Sequence, residues 1–259
     1  MPTIETTYHG FPVRLALITD LHNQPYENII KSLRSHRPEI IAVAGDVMLG
    51  SISELTSQIN VLPFLRACAA LAPTYFSLGN HEKHLTAADL HLIEETGTVV
   101  LDNAWREIDV HGMSVVIGGL TSGYVMRRRN ENPTGTEKNQ LIPDTSWLSD
   151  FMMQSGYHIL LSHHPEYYSL IPEGVLILSG HAHGGQWRFY DSYKHVWRGV
   201  FAPGQGLFPQ WTKGVYAGRM VVSAGLSNTT WIPRINNPTE IVYIEPRKRL
   251  FFIIIFLFL

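Results

Sequence analysis

The chain is 259 residues long, 45% apolar and 16% charged, with 20 Lys and Arg against 22 Asp and Glu. Those proportions exclude a disordered, collagen-like or coiled-coil protein, and a net charge of -2 supplies no global basic field for nucleic acid. The single cysteine, Cys68, excludes an intrachain disulfide and a multi-thiolate metal site, and it fits a reducing compartment without requiring one.

From the N-terminus, Met1 to Phe11 is polar and lacks the basic-then-apolar pattern of a signal peptide. The first apolar run, Val13–Ile18, reads as a strand and ends in Thr19-Asp20-Leu21-His22. Tyr26–His36 has helical spacing, and Ile40–Ala44 reads as a strand ending in Gly45-Asp46. Ile52–Leu71 reads as one long amphipathic helix before the strand Thr74–Leu78, which ends in Gly79-Asn80-His81-Glu82. A helix over Ala87–Glu95 and a strand over Val115–Gly118 follow. Thr121 to Asp144 is a long polar stretch, expected as a surface loop; its Arg127, Arg128 and Arg129 form either a solvated face or an arm for a second phosphate. A helix over Thr145–Gln154 leads to the strand His158–Leu161, ending in Ser162-His163-His164, and then to Val175–Leu178, ending in Ser179-Gly180-His181-Ala182-His183. Gly184 to Asn237 is dense in Gly, Pro and aromatics, which suggests irregular loops around a second sheet. Most of Trp187, Trp197, Trp211, Trp231, Phe201, Phe208 and Tyr216 are expected between sheets. Met220–Ser223 and Ile241–Ile244 are the last expected strands. Pro38, Pro73 and Pro165 punctuate the helix–strand boundaries.

Short apolar runs alternating with helix-length segments indicate a layered α/β architecture, with one domain over residues 1–249. Leu250–Leu259 is an apolar tail behind Arg247, Lys248 and Arg249. As a helix it would reach about 15 Å, roughly half a bilayer core. Three readings compete: a last buried strand, a membrane-dipping tail, or a frame-shifted or truncated end. No run is long enough for a spanning helix, so the expected location is cytoplasmic, with weak membrane contact through the tail.

Five expected strands each deliver a metal-capable side chain just past the C-terminal end, the edge at which open α/β sheets bind ligands. Glycines beside Asp46, Asn80 and His181 permit the tight turns that aim those side chains inward. Taken singly, each piece has an ordinary reading. Gly-Asp can be a turn with a helix cap, Asn80 a left-handed turn residue, and His163 or His164 a satisfied histidine at a helix start. Their ordered recurrence at strand ends points instead to metal.

The ordered motifs Asp-x-His, Gly-Asp, Gly-Asn-His-Glu, a strand-ending His and Gly-His-x-His resemble the calcineurin-like metallophosphoesterase superfamily, over about Leu15 to Glu245. GHAHGGQWRF, GLFPQWTKGVY and NNPTEIVYI resemble its bacterial subgroup of membrane-associated phosphodiesterases and UDP-diacylglucosamine pyrophosphatases. Two departures are visible. Gly45-Asp46-Val47-Met48-Leu49 lacks the second acid of Gly-Asp-x-x-Asp, and the polar Met1–Phe11 does not read as the subgroup's frequent N-terminal membrane anchor, so none is expected there.

The resemblance implies a four-layer α-β-β-α sandwich of two mixed sheets flanked by helices. It assigns Asp20, His22 and His183 to one metal and Asn80, His163 and His181 to another, with Asp46 bridging. His163 matches the family's ligand position, and His164 falls where the family varies; His164 is expected on the surface, with substrate contact as its alternative role. His81 is placed near the leaving group, with support of Asn80 as its alternative role, and Glu82 is expected behind the ligands or in a structural role. The implied reaction is hydrolysis of a phosphodiester or pyrophosphate bond in a small-molecule phosphoester, with a hydroxide shared by two divalent ions as nucleophile. Manganese is favoured; iron, zinc, cobalt and nickel also suit nitrogen and oxygen donors without thiolate. The alternatives are a catalytically inactive metal-binding or scaffold protein of the same fold, and a peripheral membrane enzyme acting on a phospholipid-like substrate.

Overall fold

A computed structural model describes residues 3–125, 142–228 and 232–246. Arg127–Arg129, Trp231 and the Leu250–Leu259 tail lie outside the described residues. One six-stranded sheet has the order β1 (Ile4–His9), β16 (Glu240–Glu245), β2 (Leu15–Ile18), β3 (Ile40–Ala44), β4 (Thr74–Ser77), β5 (Val99–Leu101). The second has the order β14 (Gly214–Tyr216), β15 (Met220–Val222), β9 (Val175–Ser179), β8 (Tyr157–Ser162), β7 (Met113–Leu120), β6 (Ala104–Val110). β2 to β5 run parallel to one another, as do β7, β8, β9 and β15. β16 runs antiparallel to β2, and β6 and β14 run antiparallel at the two edges of the second sheet.

Alternation along the strands builds the layers. In β3, Ile40, Ala42 and Ala44 face the other sheet, while Ile41 and Val43 face the helices. In β8, Ile159 and Leu161 enter the core between the sheets and Leu160 the outer core. α1 (Glu27–His36), α2 (Val61–Ala69) and α3 (Ala87–Glu94) pack on the first sheet through Ile30, Leu33, Phe64, Leu65 and Ile93. α4 (Leu148–Met153) packs on the second through Leu148 and Phe151. The result is the four-layer α-β-β-α sandwich. Strands covered on both faces have no polar face to show, which is why they read as continuous apolar runs. Among the described residues no helix is long and apolar enough to cross a membrane.

Two expectations are corrected. The helix expected over Ile52–Leu71 breaks into a short 3-10 turn, Leu55–Ser57, and α2. Pro63 is the reason: it has no N–H and its ring would strike the carbonyl four residues back, so it fits only the first turn of a helix. The chain restarts accordingly at Val61, and Phe64 N–H donates to the Asn60 carbonyl (3.0 Å). The aromatics of the C-terminal third do not fill the space between the sheets. Trp187, Trp197, Phe201 and Phe208 are exposed, and Trp211 and Tyr216 are half-buried on the outer core of the second sheet. The stretch after β9 instead forms two small hairpins outside both sheets, β10 (Arg188–Asp191) with β11 (Val196–Gly199), and β12 (Phe201–Ala202) with β13 (Gly206–Leu207).

Candidate metal centre

The parallel topology sends the loops after β2, β3 and β4 of one sheet and after β8 and β9 of the other to a shared edge. Five of the expected ligands stand there on left-handed backbone: Asp20 (φ 56°), His22 (49°), Asp46 (54°), His181 (64°) and His183 (46°). For residues other than glycine that conformation costs on the order of 1 kcal/mol or more each, and it persists only where the surroundings dictate it. Here the loops hold one another. Asp20 N–H donates to the Gly45 carbonyl (3.2 Å), His22 N–H to the Asp46 carbonyl (3.1 Å), and Ser227 Oγ to the Asp20 carbonyl (2.8 Å). Gly79 and Gly180 allow the closest approaches, since a Cβ on either would collide with the carboxylate of Asp46 or Asp20.

Asp20 and Asp46 are buried with histidine around them. His163 Nε2 lies 3.1 Å from Asp46 Oδ2 and 3.9 Å from Asp20 Oδ1. His22 Nε2 lies 3.9 Å from an oxygen of each carboxylate, and His183 Nε2 lies 3.4 Å from Asp20 Oδ1. His181 N–H donates to both oxygens of Asp20 (3.3 Å each). Burial opposes ionisation of the two acids, but His183 and His163 lower Asp20, and His163 and His81 hold Asp46 well below the usual carboxylate range. Burial also opposes protonation of His163, but Asp46 and then Asp20 outweigh it and raise this imidazole to about 10. His181 and His22 are lowered by burial, His22 to about 4. Without a metal, the His163 imidazolium thus sits between two carboxylates.

The donor atoms fit divalent cations. His22 Nδ1 faces the Met48 carbonyl (3.0 Å) and His163 Nδ1 the Ala44 carbonyl (2.8 Å). Each carbonyl fixes a proton on Nδ1 and turns Nε2 inward, as a lone pair on His22 and, once the imidazolium gives up its second proton, on His163, the arrangement seen in metal-binding histidine. His22 Nε2 and Asn80 Oδ1 are buried with no hydrogen-bond partner, a costly state for a polar atom that no cation completes. Among the described residues four clusters are close enough to chelate an ion: Asp20 with His22 and His183, Asp46 with His163 and His181, Asp46 with His22 and His81, and Glu166 with His164 and His181. The first two match the expected ligand sets. His183 differs from the others. Arg234 Nη2 lies 3.2 Å from its Nδ1, and a guanidinium only donates, so this imidazole carries its proton on Nε2. A cation at that nitrogen requires the proton to leave and breaks the Arg234 contact.

His81 also stands apart. Its Nδ1 accepts from Gly50 N–H (2.8 Å), so Nε2 carries the proton, 3.8 Å from Asp46 Oδ2 in a partly exposed position. His164, expected on the surface, is buried. Its Nε2 meets Ser122 Oγ (2.7 Å) and its ring lies 4.1 Å from that of His181, because the segment after β7 folds over it. Glu82 accepts from the backbone N–H groups of Gly79 (2.8 Å), Asp46 (2.9 Å) and Met48 (3.1 Å). Burial, and next Asp46, push Glu82 up to about 7 against those donors. Sequence reasoning assigned no role to Arg234, Asn237 or Ser227. Asn237 donates to the His183 (2.7 Å) and Gln186 (3.2 Å) carbonyls and pins the loop that carries the histidine pair. Its only sequence signal is its place in the NNPTEIVYI stretch.

Comparison with known proteins follows the same residues. Residues 13–185 match the model of the calcineurin-like phosphoesterase family, a span that holds every candidate ligand from Asp20 to His183. F40B5.2 of Caenorhabditis elegans, which carries the name metallophosphoesterase, is 28% identical over 189 residues, covering 67% of this chain and 37% of that protein. YkoQ of Bacillus subtilis, an uncharacterized metallophosphoesterase, is 27% identical over 256 residues, 90% of this chain and 85% of its own. The phosphodiesterase YaeI of Escherichia coli is 26% identical over 190 residues, 68% of this chain and 63% of its own. The chain thus spans 37% of F40B5.2 and 63% of YaeI.

Proposed function

The chain belongs to the calcineurin-like phosphoesterase family, and from that premise we propose that it is a dinuclear metal-dependent phosphoesterase that hydrolyses a phosphodiester or pyrophosphate bond. One observation carries the reading: two buried carboxylates are bracketed by imidazoles, two of which have Nδ1 tied to a carbonyl and Nε2 turned inward. In this reading Asp20, His22 and His183 hold one ion, Asn80, His163 and His181 the other, and Asp46 serves both. Nitrogen and oxygen donors without thiolate suit manganese first, then iron, zinc, cobalt or nickel. When bound, such ions supply Lewis acidity, lowering the pKa of water toward about 7 and drawing charge off phosphate oxygens.

The chain's own residues do the rest. Asp20 and Asp46 are too few to cancel two divalent charges, so the loaded site stays attractive to an anionic phosphoryl group. His81 presents an N–H at the rim of the site, placed to donate to the leaving oxygen as its bond to phosphorus breaks. Gly50 N–H occupies its Nδ1, so His81 offers Nε2–H as the donor in this reading.

The test is turnover of bis(p-nitrophenyl) phosphate by the full chain with manganese, for wild type and His181→Ala. Metal-dependent turnover that falls at least about a hundredfold in the variant is the expected result, as for loss of a group that stabilises transition-state charge. No turnover by the manganese-loaded wild type on diester, monoester and pyrophosphate substrates would make the chain a metal-binding scaffold.

Loading also has a proton signature. His163, at about 10 without metal, is protonated at neutral pH and must give up that proton to ligate. Titration calorimetry in buffers of different ionisation enthalpy should therefore show proton release. Affinity should rise about tenfold per pH unit above neutrality and level off as pH passes about 10. A pH-independent affinity would contradict the assignment of His163.

A further inference from the structure

The cluster of His164, Glu166 and His181 is close enough to chelate a cation, yet the two proposed ions leave His164 and Glu166 unused. His164 and His181 are buried, with ring centroids 4.1 Å apart. His164 Nδ1 lies 3.9 Å from Glu166 Oε2, too far for a hydrogen bond. Both carboxylate oxygens of Glu166 are buried with no hydrogen-bond partner. A carboxylate in that state is costly, and a cation would complete it. We propose that His164, Glu166 and His181 form a separate seat for zinc, which competes for His181 with the position beside Asp46.

The side chains of this seat are held from outside it. Ser122 Oγ, 2.7 Å from His164 Nε2, can accept the proton of that nitrogen and leave Nδ1 as a lone pair facing Glu166. Tyr124 stacks on the His164 ring at 5.9 Å, and Tyr167 packs against it at 4.9 Å. Gly204 makes room for the carboxylate, since a Cβ there would lie 2.7 Å from Glu166 Oε1. The Gln205 amide beside Glu166 is engaged with Trp211, donating to its carbonyl (2.7 Å) and accepting from its N–H (2.9 Å). Two ligands of one zinc stand about 3–3.5 Å apart, so His164 and Glu166 need to close by only about half an ångström.

Donor chemistry decides which metal sits where. Two imidazoles and one carboxylate, with a fourth position left to water, are a set that tetrahedral zinc takes. The position beside Asp46 offers more oxygen, from Asp46 and Asn80, and that suits manganese. A neutral imidazole has one lone pair, so His181 can serve only one of the two positions at a time. Zinc seated with Glu166 therefore leaves the proposed second ion without His181, and the zinc-loaded protein should be slow where the manganese-loaded protein is active. The seat stands without the phosphoesterase reading above; its effect on turnover rests on that reading.

Full-length Asp46→Asn and the double variant Asp46→Asn/Glu166→Gln are titrated with zinc, and their bound zinc is counted by elemental analysis. The double variant should bind one zinc per chain at least about tenfold more weakly than Asp46→Asn does, as expected for losing a group that holds the metal. Equal zinc count and equal affinity in the two chains overturn the seat. Glu166→Gln alone is then assayed with zinc against bis(p-nitrophenyl) phosphate, beside wild type. Its zinc-supported turnover should exceed that of wild type by about tenfold, a gain that a misfolded variant cannot produce. Zinc-supported turnover that is unchanged or lower, in a variant active with manganese, overturns the competition for His181. Zinc binding that weakens with Glu166→Gln, in a chain that turns over no phosphoester with either metal, overturns the phosphoesterase reading and upholds the seat.

Discussion

Asp46→Asn is expected to lower manganese-dependent phosphodiester turnover by about a thousandfold, the upper end of what one electrostatic contact in an active site contributes. The substitution keeps shape. The amide oxygen of the new side chain can still accept from His81 N–H, as Asp46 Oδ1 does at 2.9 Å, and the backbone N–H can still reach Glu82 (2.9 Å). What disappears is the one carboxylate that faces His22, His81 and His163 together, at 3.9, 3.8 and 3.1 Å. Both candidate ions draw on that charge in the proposed assignment, so elemental analysis of the variant should find less than one ion per chain after dialysis. The metal-free proteins should differ less. His163 loses the partner that raises it, and its proton leaves at lower pH. The discriminating measurement is thermal: manganese should raise the melting temperature of wild type and leave Asp46→Asn nearly unmoved, since only ligands that bind the native state stabilise it. A variant that binds two ions and turns over at the wild-type rate would remove Asp46 from the centre of the mechanism.

The legible parts of this chain share one physical origin. β4 (TYFS) and β8 (YHILLS) carry buried polar residues alongside their apolar ones, while β2, β3 and β9 are buried on both faces, so each is an apolar run ended by its first polar residue. Because the strands are parallel within their sheets, those polar residues fall on one edge. What stayed hidden lacks such a mark. β1 is a half-exposed edge strand with the polar sequence IETTYH, and β6 (AWREIDV) carries a wet face. Arg234 and Asn237 meet His183 from more than 50 residues away in sequence, through contacts that no local pattern encodes. His164 looks like a helix-start histidine until Ser122 is seen to close over it. The aromatics after His183 were expected inside because large rings usually gain most from burial. A two-stranded ribbon has no second layer to bury them.

Glu82 should be the costliest position for stability. The loops after β3 and β4 both end on it: Asp46 N–H and Gly79 N–H donate to Oε2, and Met48 N–H donates to Oε1. Glu82→Ala leaves those three buried donors with no acceptor, at about 1–3 kcal/mol each. Water entering the vacated space recovers part of that, so a net loss of about 3–5 kcal/mol is expected, a large share of the usual 5–15 kcal/mol of a folded domain. Glu82→Gln separates charge from acceptor count. Its amide oxygen can stand in for Oε2 and serve Asp46 and Gly79, but its NH2 then opposes Met48 N–H, donor against donor. About half the alanine loss should remain. Urea unfolding of the metal-free proteins would show both, as midpoint shifts at unchanged slope. The effect should reach the metal centre because Asp46 stands on left-handed backbone (φ 54°), which the Glu82 bond to its N–H helps to hold. Once that bond is lost, Asp46 can relax toward ordinary backbone and turn its carboxylate out of the cluster, so Glu82→Ala should also weaken manganese binding. A Glu82→Ala protein with the wild-type midpoint would mean that the N–H groups find other acceptors, and that the Asp46 turn is held by its neighbours alone.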